Sequence, residues 1–156
     1  MKLVAVLVVF AAFLLVVHAD FYINLFYEPT QKYLSNINYV SSGNYMKAAK
    51  SSPDSFCRFK FVTSGLPDGK AAIQNNAGTN YFCRDSQGSN IRPLEADIED
   101  NCIYDYEVLL DSDDIYSYRI ALKADNGLYW NLGGSDGKFI RAKGTSPVYF
   151  DVLEPN

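Results

Sequence analysis

Histidine is almost missing: the chain of 156 residues contains one, His18, and it sits at the end of an N-terminal apolar run. Met1-Lys2 is followed by unbroken apolar sequence from Leu3 to Val17, and Val17 and Ala19 place small residues three and one before Asp20. That is the pattern of a secretory leader cleaved before Asp20. The run falls short of the roughly 18 to 20 residues of a bilayer-spanning helix, and no second apolar segment follows. The expectation is a leader over 1–19 and one secreted domain over 20–156, with no membrane insertion after cleavage. Loss of His18 would leave no histidine. Ser-His-Asp and Cys-His catalysis, histidine-ligated haem and histidine-containing zinc sites are then excluded. A pair of carboxylates remains open as catalytic chemistry.

Other absences narrow the field. There is no Asn-x-Ser/Thr acceptor, Gly-rich phosphate loop, nucleophile elbow or Cys-x-x-Cys pair, and no cofactor is expected. Basic residues are the minority, 14 against 18 acidic, and losing Lys2 with the leader makes the balance one unit more negative. A phosphate backbone would be repelled, so nucleic acid is not an expected partner. The stretch from Glu95 to Asp114 is acidic and has no Lys or Arg; it reads as a solvated loop and strand edge. Within it, Asp111-Ser112-Asp113-Asp114 offers oxygens to calcium but lacks the glycine and distal glutamate of an EF-hand loop. Beyond the leader no stretch holds an apolar stripe at helical spacing for three turns, and no linker divides the chain.

What is present is a repeat. Tyr33, Tyr81 and Tyr129 are spaced 48 residues apart. Apolar alternation precedes each: Ile23 and Leu25, Ala71 and Ile73, Ile120 and Leu122. A glycine turn and an apolar-basic pair follow: Gly43 with Met46-Lys47, Gly88 with Ile91-Arg92, Gly137 with Ile140-Arg141. The units close on Phe59-Lys60-Phe61, Tyr106-Glu107-Val108 and Phe150-Asp151-Val152, the alternation of half-buried strands. Turn signals such as Leu66-Pro67-Asp68-Gly69 and Asn126-Gly127 fall between strand candidates. The expectation is an all-β domain of three pseudo-repeats with about twelve strands. One four-stranded unit cannot cover its own apolar face, whereas three about an axis can close and cap a small barrel.

The three cysteines allow at most one internal bridge. Cys57 and Cys102 each precede the closing triplet of their units, positions that a threefold fold holds far apart. The preferred bridge is Cys83 to Cys102. Cys57 is then either buried and inert or a link between two copies.

The third unit, Ile120-Ala-Leu-Lys-Ala-Asp-Asn-Gly-Leu-Tyr-Trp-Asn-Leu through Gly137-Lys-Phe-Ile-Arg-Ala to Phe150-Asp-Val-Leu, resembles the repeat of fascin-like β-trefoil domains. The resemblance extends over the chain after the leader once the weaker first and second units are included, and it implies a β-trefoil. The first unit has Glu28-Pro29-Thr30 in place of the Asn-Gly turn, and the second has Asn75-Asn76-Ala77-Gly78. The Gln-x-Trp triplet of ricin-type lectin trefoils is absent. Trefoils serve as lectins, actin bundlers, cytokines and protease inhibitors, so the fold leaves function open. A leader argues against cytosolic actin bundling.

Trp130, the single tryptophan, falls beside Asp125, Asn126, Tyr129 and Asn131, with Lys138 and Arg141 on the following strand. An aromatic face with amide and carboxylate neighbours is what a pyranose requires, and this cluster is the candidate site for extracellular glycans or polysaccharide. The alternative is that Trp130 fills the core position of Leu34 and Phe82. The twelve tyrosines alternate mainly as strand packing would place them. The reading is a secreted, non-enzymatic, lectin-like binding protein. Its rivals are a coat or adhesive protein cross-linked through cysteine and tyrosine, a protease inhibitor, and a carboxylate-based hydrolase.

Overall fold

The computed structural model describes residues 20–111, 113–114 and 117–155; the expected leader, Ser112, Ile115, Tyr116 and Asn156 lie outside the described residues. Twelve strands form among them, four in each unit. The first unit holds β1(Phe21–Tyr27), β2(Lys32–Tyr39), β3(Gly43–Lys50) and β4(Arg58–Val62). The second holds β5(Lys70–Asn75), β6(Tyr81–Arg84), β7(Ile91–Glu95) and β8(Tyr104–Leu110). The third holds β9(Tyr118–Lys123), β10(Tyr129–Gly133), β11(Phe139–Gly144) and β12(Phe150–Leu153). Single 3-10 turns at Ser55–Cys57 and Asp100–Cys102 lead into β4 and β8.

The outer strands of each unit close a ring. β1 pairs with β4, β4 with β5, β5 with β8, β8 with β9, β9 with β12 and β12 with β1, all antiparallel. The inner pairs β2–β3, β6–β7 and β10–β11 are hairpins that cap one end of this barrel. A six-stranded barrel with a cap of three hairpins is a β-trefoil, and closure leaves the barrel no free edge.

The repeat becomes a layered core. Leu34, Phe82 and Trp130 are fully buried, as are Met46, Ile91 and Ile140, and so are Phe59, Tyr104 and Phe150. The tyrosines that mark the 48-residue spacing sit one residue earlier and are only half-buried. Each marks a shift of register, between Tyr33 and Leu34, Tyr81 and Phe82, and Tyr129 and Trp130. The spacing therefore records three equivalent β-bulges, which bend each hairpin over the barrel end and aim the next side chain into the core. The closing strand of the second unit requires a correction. Tyr104-Asp105-Tyr106, not Tyr106-Glu107-Val108, matches Phe59-Lys60-Phe61, because Tyr104 is the residue buried at 0% and Val108 only lies against the core.

The apolar-basic pairs are explained by the cap. The apolar member enters the core, and the basic member reaches into the turn of the neighbouring hairpin. Lys47 of the first unit bonds Asp136 in the third at 2.5 Å. Arg92 of the second donates to the backbone oxygens of Ser42, at 2.7 Å, and Asn44, at 3.2 Å, in the first. Arg141 of the third donates to the Gly88 oxygen in the second, at 3.3 and 3.4 Å. Every hairpin is thus held by its neighbour in a closed cycle.

The disulfide joins Cys83 in β6 to Cys102 in the 3-10 turn before β8, as expected. Closing a loop of this length stabilises the fold by about 3 kcal/mol. Cys57 has no surface exposure, and burial raises its thiol pKa. A disulfide between two copies would require Cys57 to leave this buried position. Ser35 stands in the first unit where Cys83 stands in the second, and it neighbours the Cys57 thiol.

Candidate functional site

The expected cluster around Trp130 does not form an open face. Trp130 is fully buried, and its ring meets that of Tyr104 edge-on at 4.9 Å. The Tyr104 hydroxyl donates to the Phe82 carbonyl at 2.8 Å, and complete burial pushes its pKa well up. As a sugar-stacking ring Trp130 is corrected: it fills the core slot shared with Leu34 and Phe82. Its neighbours are engaged within the protein. Asp125 takes both arms of Arg84, at 2.6 and 2.9 Å, and this bond holds its carboxyl below the ordinary range. Asn126 accepts from the Leu128 N–H and donates to the Ala142 carbonyl, both at 3.0 Å, which fixes the turn. Tyr129 donates to Glu107 at 2.6 Å, and that carboxylate raises the phenol pKa. Arg141 holds the Gly88 turn as described. Asn131 is half-buried with its side-chain oxygen enclosed, and only Lys138 projects freely beside them.

Part of the acidic tract is likewise engaged within the protein. Asp105 pairs with Lys70 at 2.6 Å, Asp111 accepts the Asp113 N–H at 2.9 Å, and Asp114 accepts the Ser117 hydroxyl at 2.7 Å. Among the described residues no group of three or more His, Cys, Asp or Glu converges as a metal site.

A different surface stands out, on the first unit. The threefold pattern puts small or apolar side chains at two facing positions of the barrel. In the second unit these are Ala72 and Ile103, and in the third Ala121 and Tyr149, with both alanines fully buried. In the first unit the positions hold Asn24 and Arg58, cross-strand partners on β1 and β4. Asn24 is 4% exposed, yet among the described residues its side-chain oxygen meets no hydrogen-bond donor and Arg58 Nε meets no acceptor. A buried amide in such a state costs about 1–3 kcal/mol, so the fold gives no reason for the exchange.

The pair lines one end of a groove. Three adjoining depressions, of about 300, 200 and 350 Å³, share Ser55, Phe56, Arg58, Asn36 and Asn76 along their walls. Pro53, Asp54 and Pro155 border one end, and Ile37, Asn38, Asn44 and Lys50 the other. Among the described residues the side-chain oxygens of Asn24 and Asn36 have no hydrogen-bond partner, and Asn38, Asn44 and Asn76 stand with them on the groove wall. The neighbouring Asn75 differs, since it spends its amide on Thr79 and Asn80. Phe56 stands 58% exposed at the junction. The 3-10 turn presents it there, because the Asp54 carboxylate accepts the Phe56 N–H at 3.0 Å and fixes the turn. The Arg58 guanidinium lies over the Tyr22 ring, 4.2 Å from its centre.

Sequence reading passed over this groove because asparagines on strands and turns carry no motif. The signal was available in the comparison of copies, where Asn24 and Arg58 interrupt positions that are apolar elsewhere.

No protein-family model matches the chain, and no curated protein matches it by sequence. Solved structures do match. The SDF2-like protein from Arabidopsis thaliana is 12% identical with a TM-score of 0.61, over 88% of this chain and 93% of that one. The designed threefold-symmetric protein ThreeFoil is 18% identical with a TM-score of 0.64, over 86% and 99%. The BEL β-trefoil is 14% identical with a TM-score of 0.54, over 85% and 92%. The chain is a β-trefoil by its own topology and by these likenesses, which at such identities concern the fold alone.

Proposed function

We propose that this protein is a secreted, non-enzymatic glycan-binding module whose site is the Asn24–Phe56–Arg58 groove. One observation carries the reading: a buried Asn24 and a half-buried Arg58, each with an enclosed polar atom that has no partner among the described residues, stand beside a cleft where the other units place Ala72 with Ile103 and Ala121 with Tyr149. An amide presents donors and an acceptor in one plane, the combination that neighbouring sugar hydroxyls need. Phe56 adds an exposed ring for the C–H face of a pyranose. A water between the ligand and an atom under the floor would transmit the hydrogen bond. A concave surface with a few convergent polar groups is the usual form of a small-ligand site. Secretion is supported by the leader pattern and agrees with the Cys83–Cys102 disulfide. A coat protein cross-linked through Cys57 is disfavoured by the burial of that thiol.

The test is a glycan array followed by titration of the hits against Phe56→Ala, Asn36→Ala and Lys138→Ala. Loss of at least tenfold in affinity for the first two, with Lys138→Ala unchanged, supports the site. Absence of saccharide binding by the folded wild type refutes the reading.

A further inference from the structure

We infer that the glycan taken by this groove is acidic and that Arg58 receives its carboxylate; the inference rests on the glycan reading above. Arg58 carries five N–H donors; among the described residues its enclosed Nε has no acceptor and its guanidinium has no acidic partner. The other arginines have partners: Arg92 and Arg141 hold turns, Arg84 holds a carboxylate with two bonds, and Arg119 lies 3.9 Å from Asp151. Arg58 differs from them in place as well as in partners. Its guanidinium is stacked on Tyr22, its Nε is enclosed, and it lines two of the three depressions.

The guanidinium is planar, and such a fork matches a planar carboxylate through two parallel hydrogen bonds. Nothing near it duplicates that role. Asp54, the acid on the groove wall, is 3.1 Å from Lys50, so its charge is matched by its own cation. The remaining wall, Asn24, Asn76, Ser55 and Pro155, is uncharged and repels no anion. A neutral sugar would leave the guanidinium without a counter-charge, whereas a uronate or sialate would complete it while the amides take the ring hydroxyls. Because the protein is net negative, at −4 overall, long-range attraction does not favour an acidic ligand. Selectivity must come from the short-range fork.

Calorimetric titration with matched pairs tests this: 3′-sialyllactose against lactose, and trigalacturonate against its methyl ester. The acid of at least one pair is expected to bind about tenfold or more tightly than its neutral counterpart. The preference should shrink as salt rises and vanish in Arg58→Met. Arg58→Lys, which keeps the charge and loses the fork, should lose most of the preference, and it serves if Arg58→Met does not fold. Equal binding within both pairs, a preference that survives Arg58→Met, or a stronger preference for a sulfated oligosaccharide over either carboxylate overturns the inference. Neutral binding without acid preference overturns this inference alone; failure of every saccharide overturns the glycan reading with it.

Discussion

Asn24→Ala should make the protein more stable. In the wild type the amide is buried to 4% exposure with its oxygen unpartnered, a state that costs about 1–3 kcal/mol. Alanine removes the polar atoms and keeps the Cβ. The cavity penalty that usually follows a deletion is small here, because the side chain borders an open depression rather than a closed core. Ala72 and Ala121 already occupy the equivalent places in the other units, fully buried, so the backbone accepts the residue. Net stabilisation of about 1 kcal/mol would raise Tm by about 3–5 °C in a domain of this size. Urea unfolding at constant m, together with calorimetry, reads the change. The same variant should lose affinity for glycan, which separates a binding residue from a structural one. Asn126→Ala is the control: it removes two turn-fixing bonds and should cost about 1 kcal/mol. A fall in stability of 1 kcal/mol or more in Asn24→Ala would show that the amide is satisfied in solution, and the argument from an unexplained polar pair would be lost.

Other outcomes follow from the cap and the cysteines. Ser35→Cys should form a second disulfide with Cys57, the counterpart of Cys83–Cys102, and add about 3 kcal/mol if it closes without strain; peptide mapping under non-reducing conditions would detect it, and a persistent free thiol would contradict the equivalence of the units. Lys47→Met should lose about 1.5–3 kcal/mol, since the ammonium bonds Asp136 and Tyr39 at 2.5 Å and lies 4.4 Å from the Phe139 ring centre; saccharide binding should be unchanged. Arg84 and Lys47 hold the carboxyls of Asp125 and Asp136 below 3.8. A carboxyl lowered by folding contributes stability that is complete above its unfolded pKa and is lost as pH falls through its folded pKa. Urea midpoints should therefore fall below about pH 4, and Arg84→Met should flatten that fall by removing the Asp125 share.

The fold was legible because its signals are periodic. Alternating apolar pairs, glycine turns and basic residues recur at matched spacing, and each meets a requirement that every unit shares: a core layer, a turn, a latch to the next hairpin. Even the misplaced second closing triplet erred by only one alternation, since Tyr104 and Tyr106 point to the same face of β8 and only burial separates them. The disulfide was legible for the same reason, with Cys83 and Cys102 meeting inside one unit. The site was not legible. Trp130 drew notice by being unique, yet uniqueness in composition says nothing about exposure, and its companions are absorbed by Arg84, Glu107 and backbone groups that the chain brings from elsewhere. Asn24 and Arg58 are ordinary residues 34 positions apart, and their meaning depends on a cross-strand pairing that only the closed barrel creates.

The most direct measurement is a map of side-chain amide NMR signals during titration with the strongest saccharide from the array. The account predicts shifts concentrated at the amides of Asn24, Asn36 and Asn76 and at the ring of Phe56, with Asn126 and the Trp130 indole unmoved. Shifts centred on the β9–β10 turn and β10, or none in any part of the groove at saturation, would contradict it.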